Sequence, residues 1–369
     1  MTLPPLQVAG RLERLRERFD GAGVDALVVT ELANVRYLTG FTGSAGVLAV
    51  TGTAALLTTD GRYRTQSAQQ VAESEAAVEI SVGGAAAQRE AVRALLAGTP
   101  RVGLEADAVS WSASRRWTDA LEGSEVVATS GVVEALREVK DDGEIARMAK
   151  AAAIADAALA EVLPLLSPPT GAGPTEEEFA LALDTAMRRG GAESTAFETI
   201  VAAGENSAKP HHRPTARPIR AGDPVVVDFG ATYCGYRSDM TRTFCVGGEP
   251  TGELARVFEV VRRSQAEGVA AVRPGAGAKE VDDVCRKVIA DAGWAEAFEH
   301  GTGHGVGLDI HEAPTVSPLG TAILSPGVVV TVEPGVYLPG VGGVRIEDTL
   351  VVTGDGCRSL TTFTKDVIA

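Results

Sequence analysis

The chain has 369 residues, more than one hydrophobic core usually serves, so two domains are expected. An apolar content of 45%, a charged content of 22% and a mean hydropathy of +0.08 exclude extended disorder. The net charge of −15 argues against nucleic acid and anionic membranes as partners, and metal-binding carboxylates count towards it until their cations are added.

The first residues, Met1 to Gly23, lack a basic segment followed by an apolar one, so no signal peptide is expected. No window of 18 apolar residues offers a membrane span. Residues 11–20 predict a helix with Leu12, Leu15 and Phe19 on one face. Apolar runs at 26–29, 47–50 and 54–57, with helical stretches near 63–72 and 88–96, predict an α/β domain over residues 1–133. A long helix over 134–160 opens the second domain, residues 134–369. Ser167 to Pro174 reads as a loop, and Thr175-Glu176-Glu177-Glu178 then signals a helix start. Strands are expected at 224–229, 238–246, 327–333 and 344–352, in a mostly antiparallel sheet with helices on one face; the fold class is α+β. The four cysteines, Cys234, Cys245, Cys285 and Cys357, form no CxxC pair, so a cytoplasmic protein with free thiols is expected.

Four carboxylates interrupt these strands. Asp228 ends the apolar run Val225-Val226-Val227, and Asp239 follows eleven residues later, across the turn Tyr233-Cys234-Gly235-Tyr236. A hairpin can set two such groups side by side, which is costly unless a cation lies between them. Glu333 and Glu347 repeat the oddity in Val328–Gly335 and Val344–Leu350, with Arg345 the one obvious cation beside them. Two divalent cations would neutralise all four carboxylates. All five histidines, His211, His212, His300, His304 and His311, fall in the same half of the chain, three of them in the glycine-rich stretch His300–His311. Oxygen-rich ligation with one imidazole suits manganese or cobalt, with zinc possible.

These residues carry a resemblance. The words Val-Asp-Phe-Gly, Ser-Asp-Met-Thr-Arg-Thr, Gly-His-Gly-Val-Gly-Leu, Glu-Pro-Gly and Arg-Ile-Glu-Asp, in that order, resemble the pita-bread metallopeptidases, the fold of methionine aminopeptidase, prolidase and aminopeptidase P. The resemblance implies five metal ligands, Asp228, Asp239, His304, Glu333 and Glu347, holding two ions, Mn²⁺ first among them. It is greatest to the proline-directed branch. Ser207-Ala208-Lys209-Pro210-His211-His212 and Asp309-Ile310-His311-Glu312 resemble that branch's two active-site histidine motifs, which fall on His211 and His311. Asn34 to Ser44 and Thr59 to Tyr63 resemble its creatinase-like N-terminal domain.

The implied activity is hydrolysis of an N-terminal Xaa-Pro bond, with prolidase as the alternative and a methionine aminopeptidase or a non-catalytic peptide binder less expected. The ions would acidify a water and polarise the carbonyl. Glu333 would be ligand and proton shuttle, and His211 and His311 would serve oxyanion and substrate. His300 and Arg345 would orient carboxylates, and Tyr337 would reach the pocket or pack in the core. A homodimer is implied as well. Some small prolidases resembling this chain carry an arginine four residues after the second histidine; here Thr315 occupies that position, which favours substrates longer than dipeptides.

Overall fold

The computed structural model describes residues 3–167 and 173–366, and most of the loop expected over 167–174 lies outside them. The chain divides into two compact units, residues 5–137 and residues 138–369 with the first four residues. Among the described residues, no helix is long and apolar enough to cross a membrane.

In the first unit the expected apolar runs become strands of one six-stranded mixed sheet. Ala26–Val29 lies inside it, antiparallel to Gly46–Thr51 and parallel to Arg101–Glu105, and all four of its residues are buried. A strand covered on both faces has no reason to alternate, hence the unbroken apolar run. Helices Arg64–Ser74 and Ala85–Leu95 occupy the stretches expected to be helical.

The long helix expected over 134–160 is broken. Glu134–Arg137 is one short helix and Asp142–Val162 another. Asp141 accepts a bond from the Glu144 amide (2.9 Å), while Glu144 accepts one from the Asp141 amide (3.0 Å). This reciprocal cap fixes a new helix start inside an apolar period that otherwise runs on. The residues between the helices also bond elsewhere, with Val139 bridged to Val328 and the Lys140 amide donating to the Gly327 carbonyl.

The order helix, helix, antiparallel strands then occurs twice. Asp142–Val162 and Glu176–Arg189 share one apolar core with strands Ile200–Ala203, Pro224–Phe229 and Met240–Cys245. Gly252–Ala271 and Ala278–Asp291 share another with a five-stranded sheet that includes Gly303–Gly305, Glu312–Val316, Val329–Val332 and Asp348–Val352. The sheets are antiparallel, as expected, but each half has its own helix pair. Cys234 and Gly235 both have positive φ, 47° and 76°, the conformation of a two-residue hairpin turn that matches strand twist. Past that hairpin, Pro224–Phe229 pairs with Met240–Cys245, with Asp228 opposite Thr241.

Replacing Asp141 with Ala should remove the cap and cost about 1 kcal/mol. A lower urea midpoint with unchanged slope is the expected result. An unchanged midpoint would show that the Val139–Val328 bridge alone sets the break.

Candidate metal centre

Strand chemistry explains where the carboxylates lie. Only Asp228 sits within a regular strand; Asp239 immediately precedes one, Glu333 immediately follows one, and Glu347 falls in the gap between Gly342–Arg345 and Asp348–Val352. At such ends the backbone bonds elsewhere, the Glu333 amide to the Thr302 carbonyl (2.8 Å) and the Glu347 amide to that of Thr241 (3.1 Å). Asp239 and Thr241 are two residues apart, which puts Asp239 on the face that Asp228 shares. His304 is carried by the short strand Gly303–Gly305. A Cβ at Gly303 would lie 2.1 Å from the Thr331 carbonyl oxygen, and one at Gly305 would lie 2.1 Å from that of Ala313, so only glycine lets this strand lie so close to its neighbours.

The side chains converge on one cleft of about 640 Å³ in the second unit. Asp228, Asp239, His304, Glu333 and Glu347 line it, together with His211, His300, His311 and Arg345. Ligand atoms of Asp239, His304 and Glu347 lie within 4.8 Å of one another. The His304 Nδ1 lies 3.0 Å from the Gly305 carbonyl and so carries the proton, which leaves Nε2 with a bare lone pair. That lone pair is 3.5 Å from Glu333 Oε1 and 3.6 Å from Asp239 Oδ2. Burial first of all holds the His304 pKa down to about 4, so the ring is neutral. Acceptors therefore face acceptors.

Each of two carboxylates has one oxygen tied by the protein and one left bare. Arg345 Nη2 donates to Asp228 Oδ2 (2.6 Å), and Thr241 Oγ1 donates to Glu347 Oε2 (2.8 Å). Asp228 Oδ1 and Glu347 Oε1 are buried with no hydrogen-bond partner among the described residues. A buried acceptor without a donor costs free energy that a cation removes. Burial, and then the neighbouring carboxylates, hold Asp239 and Glu347 well above the usual carboxylate range. Burial also pushes Glu333 up to about 8, against the pull of Arg345. Two bare buried oxygens, an imidazole lone pair and hard oxygen donors fit divalent metal ions.

A donor network backs this set. Arg345 Nη1 donates to the Tyr337 hydroxyl (2.8 Å), which donates to His300 Nε2 (2.8 Å), while His300 Nδ1 donates to the Gly301 carbonyl (2.8 Å). Arg345 Nε donates to Thr241 Oγ1 (3.1 Å) and stands 4.0 Å from Glu333 Oε2. His300 thus reaches Tyr337 rather than a carboxylate, and Tyr337 is buried behind the cleft instead of lining it. His211 and His311 are exposed at the cleft mouth, with the His311 ring edge-on to His304 at 4.4 Å.

Several residues that hold the site gave no warning in the sequence. Arg242 is buried, donates to Asp348 (2.8 Å) and bonds the Glu347 carbonyl. Asp282 accepts from the Thr302 amide (3.1 Å) and hydroxyl (2.8 Å), just before His304. Glu176, read only as part of a helix start, is fully buried. Thr241 alone had a usable signal, since strand alternation puts it on the face of Asp239.

The pH dependence follows with its sign. Unfolded carboxyls titrate near 4, and Glu333 in the folded protein near 8, so between these values the folded state binds more protons and loses stability as pH rises. His300 and His304, held down to about 4, act in the opposite sense, but only below about pH 6.5. The Tm of metal-stripped protein should therefore fall between about pH 6.5 and 8.5, and Mn²⁺ should flatten the curve. A flat Tm profile without metal would contradict this electrostatic picture.

Comparison with known proteins agrees with the geometry. Metallopeptidase family M24 matches residues 146–354, and the creatinase/prolidase N-terminal domain matches residues 11–139. The solved structure of an Xaa-Pro dipeptidase from Bacillus anthracis is 39% identical, with 98% of this chain and 99% of that chain covered and a TM-score of 0.92. An Xaa-Pro dipeptidase from Pyrococcus horikoshii is 34% identical over 97% of this chain and 98% of its own length. The structure of an X-Pro aminopeptidase from Thermotoga maritima is 34% identical, covering 97% and 99% of the two chains, with a TM-score of 0.86. The two units are thus a creatinase-like N-terminal domain and a pita-bread domain, and the chain belongs to metallopeptidase family M24.

Proposed function

We propose that this chain is an Xaa-Pro dipeptidase working with two divalent ions, manganese first, with cobalt and zinc as alternatives. The observation that carries the reading is one cleft lined by all five candidate donors, in a chain similar over 97–98% of its length to Xaa-Pro dipeptidases. The preference for longer peptides drawn from Thr315 gives way to the dipeptidase alternative, because the more similar of the two solved structures bears that name. Xaa-Pro aminopeptidase remains the second reading, carried by the Thermotoga maritima likeness.

In this reading Asp228, Asp239, His304, Glu333 and Glu347 hold the ions. When bound, the ions supply an acidified water and polarise the scissile carbonyl. Arg345 and Thr241 each occupy one oxygen of a ligand carboxylate and so leave the other free for metal. An Xaa-Pro bond is a tertiary amide, so its nitrogen has no hydrogen and must gain a proton to leave. Glu333 holds that proton on a carboxylate oxygen and passes it to the proline nitrogen. His211 and His311, at the mouth, present ring N–H groups, one to the oxyanion and one to the substrate. Phe197, Ile200, Pro210 and Ile310 line the same cleft and suit a pyrrolidine ring.

Chelation should abolish activity and Mn²⁺ should restore it, with kcat/KM for Ala-Pro above that for Ala-Pro-Ala. Activity in protein proven metal-free would overturn the metal reading. A clear preference for the tripeptide would turn the substrate reading to an aminopeptidase.

Glu333→Gln should keep part of the metal and lose most turnover. His211→Ala and His311→Ala should keep their metal and lose about 10²- to 10³-fold in rate. Loss of metal from either histidine variant would show that it supports the centre rather than the substrate.

A further inference from the structure

A dipeptide differs from a longer peptide in one charge, the free carboxylate on its second residue. That carboxylate lies within one residue of the scissile bond, so its partner must border the same cleft. A site that prefers dipeptides needs a cation there that is not already spent. Among the described residues, two arginines line the cleft, Arg345 and Arg213, and no lysine does. Arg345 is buried and bonded to Asp228, Tyr337 and Thr241. His212 is also occupied, with Nε2 2.9 Å from Glu176 Oε2.

We infer that Arg213 is the cation that receives the carboxylate of a dipeptide substrate, an inference that rests on the dipeptidase reading above. The Arg213 side chain is 81% exposed, and among the described residues its one ion pair is with Glu198, itself 66% exposed, at 3.2 Å. Glu198 lines the cleft as well. Such a solvent-screened pair holds weakly, so a substrate carboxylate can displace Glu198 at little cost. A guanidinium also offers two parallel N–H groups, the geometry a carboxylate accepts.

The backbone under Arg213 is fixed, although its side chain is exposed. Buried Glu176 accepts from the Ala203 amide (2.8 Å) and the Asn206 side chain (3.0 Å) with one oxygen. With the other it binds His212 and accepts from the Thr215 amide (3.0 Å) and hydroxyl (2.7 Å). One carboxylate thus pins the chain on both sides of Arg213, and Pro214 restricts the residue before it to extended conformations. The strap from Ala203 to Thr215 also carries His211, so carbonyl and carboxylate contacts share one rigid mount.

The test is steady-state kinetics of the Mn²⁺-loaded full chain with Ala-Pro, its C-terminal amide and Ala-Pro-Ala, for wild type, Arg213→Ala and Arg213→Lys, with metal content measured for each. Arg213→Ala should raise KM for Ala-Pro about 10- to 100-fold, with kcat within about threefold and the amide changed by less than about threefold. Arg213→Lys should fall between, because it keeps the charge and loses the fork. Equal losses on Ala-Pro and its amide would overturn the assignment, as would an unchanged KM for Ala-Pro in an Arg213→Ala enzyme whose parent prefers the dipeptide. A wild type that prefers Ala-Pro-Ala would instead overturn the dipeptidase reading, and this inference with it.

Discussion

Too many acceptors and too few donors share one buried space. Four carboxylates meet a neutral imidazole whose lone pair points at two of them, and one guanidinium, Arg345, stands among them. A formal −4 against +1 leaves −3 inside the protein, a state it would not hold unaided at neutral pH. Burial first, and then the neighbouring carboxylates, raise three of the carboxyls, so that without metal the site draws protons. Two divalent ions, as proposed, would answer the same demand with four positive charges and no proton. The glycines beside His304, the breaks in the strands and the hydroxyls of Thr241 and Thr331 all serve that arrangement of acceptors.

Arg345 gives the set its geometry. It holds Asp228, reaches Glu347 through Thr241 and reaches His300 through Tyr337, so carboxylates from both helix-and-sheet halves are referred to one rigid fork. Its planar group can direct bonds to three partners at once, which a lysine ammonium on a flexible stem cannot do with the same fixity. The fork also decides which oxygens stay free. Orientation by donors behind the ligands accounts for how these carboxylates can point inward together.

The sequence showed the site better than its supports. A carboxylate after Val225-Val226-Val227 has no surface reading, and the short words around Asp239, His304, Glu333 and Glu347 stand out locally. The hairpin between the aspartates was legible from its turn, and the structure brings all five residues to one cleft. Strand ends were read too long, because the backbone leaves the ladder where the carboxylates begin, after Val332 and again after Arg345, while the sequence pattern runs through them. The break before Asp142 had a visible cap in Asp141 and Glu144, hidden by the apolar period around it. Glu176, Arg242 and Asp282 were not legible. A run of acidic residues at a helix start looks solvated, and only the folded chain brings Thr215, Glu347 or Thr302 to meet them.

The division of the donors between two successive sheets has a consequence in time. Asp228 and Asp239 lie on or beside the first, while His304, Glu333 and Glu347 lie on or beside the second. From Asp228 to Glu347 the chain advances 119 residues (347 − 228), which takes about 6–24 s at typical rates of synthesis. During that interval the first half carries two crowded aspartates with no later donor beside them. On the proposed ligand set, three of the five donors do not yet exist while only the early half has been made. Nascent chain must tolerate its own uncompensated charge until the second half arrives, and on the proposed ligand set loading would close assembly rather than nucleate it.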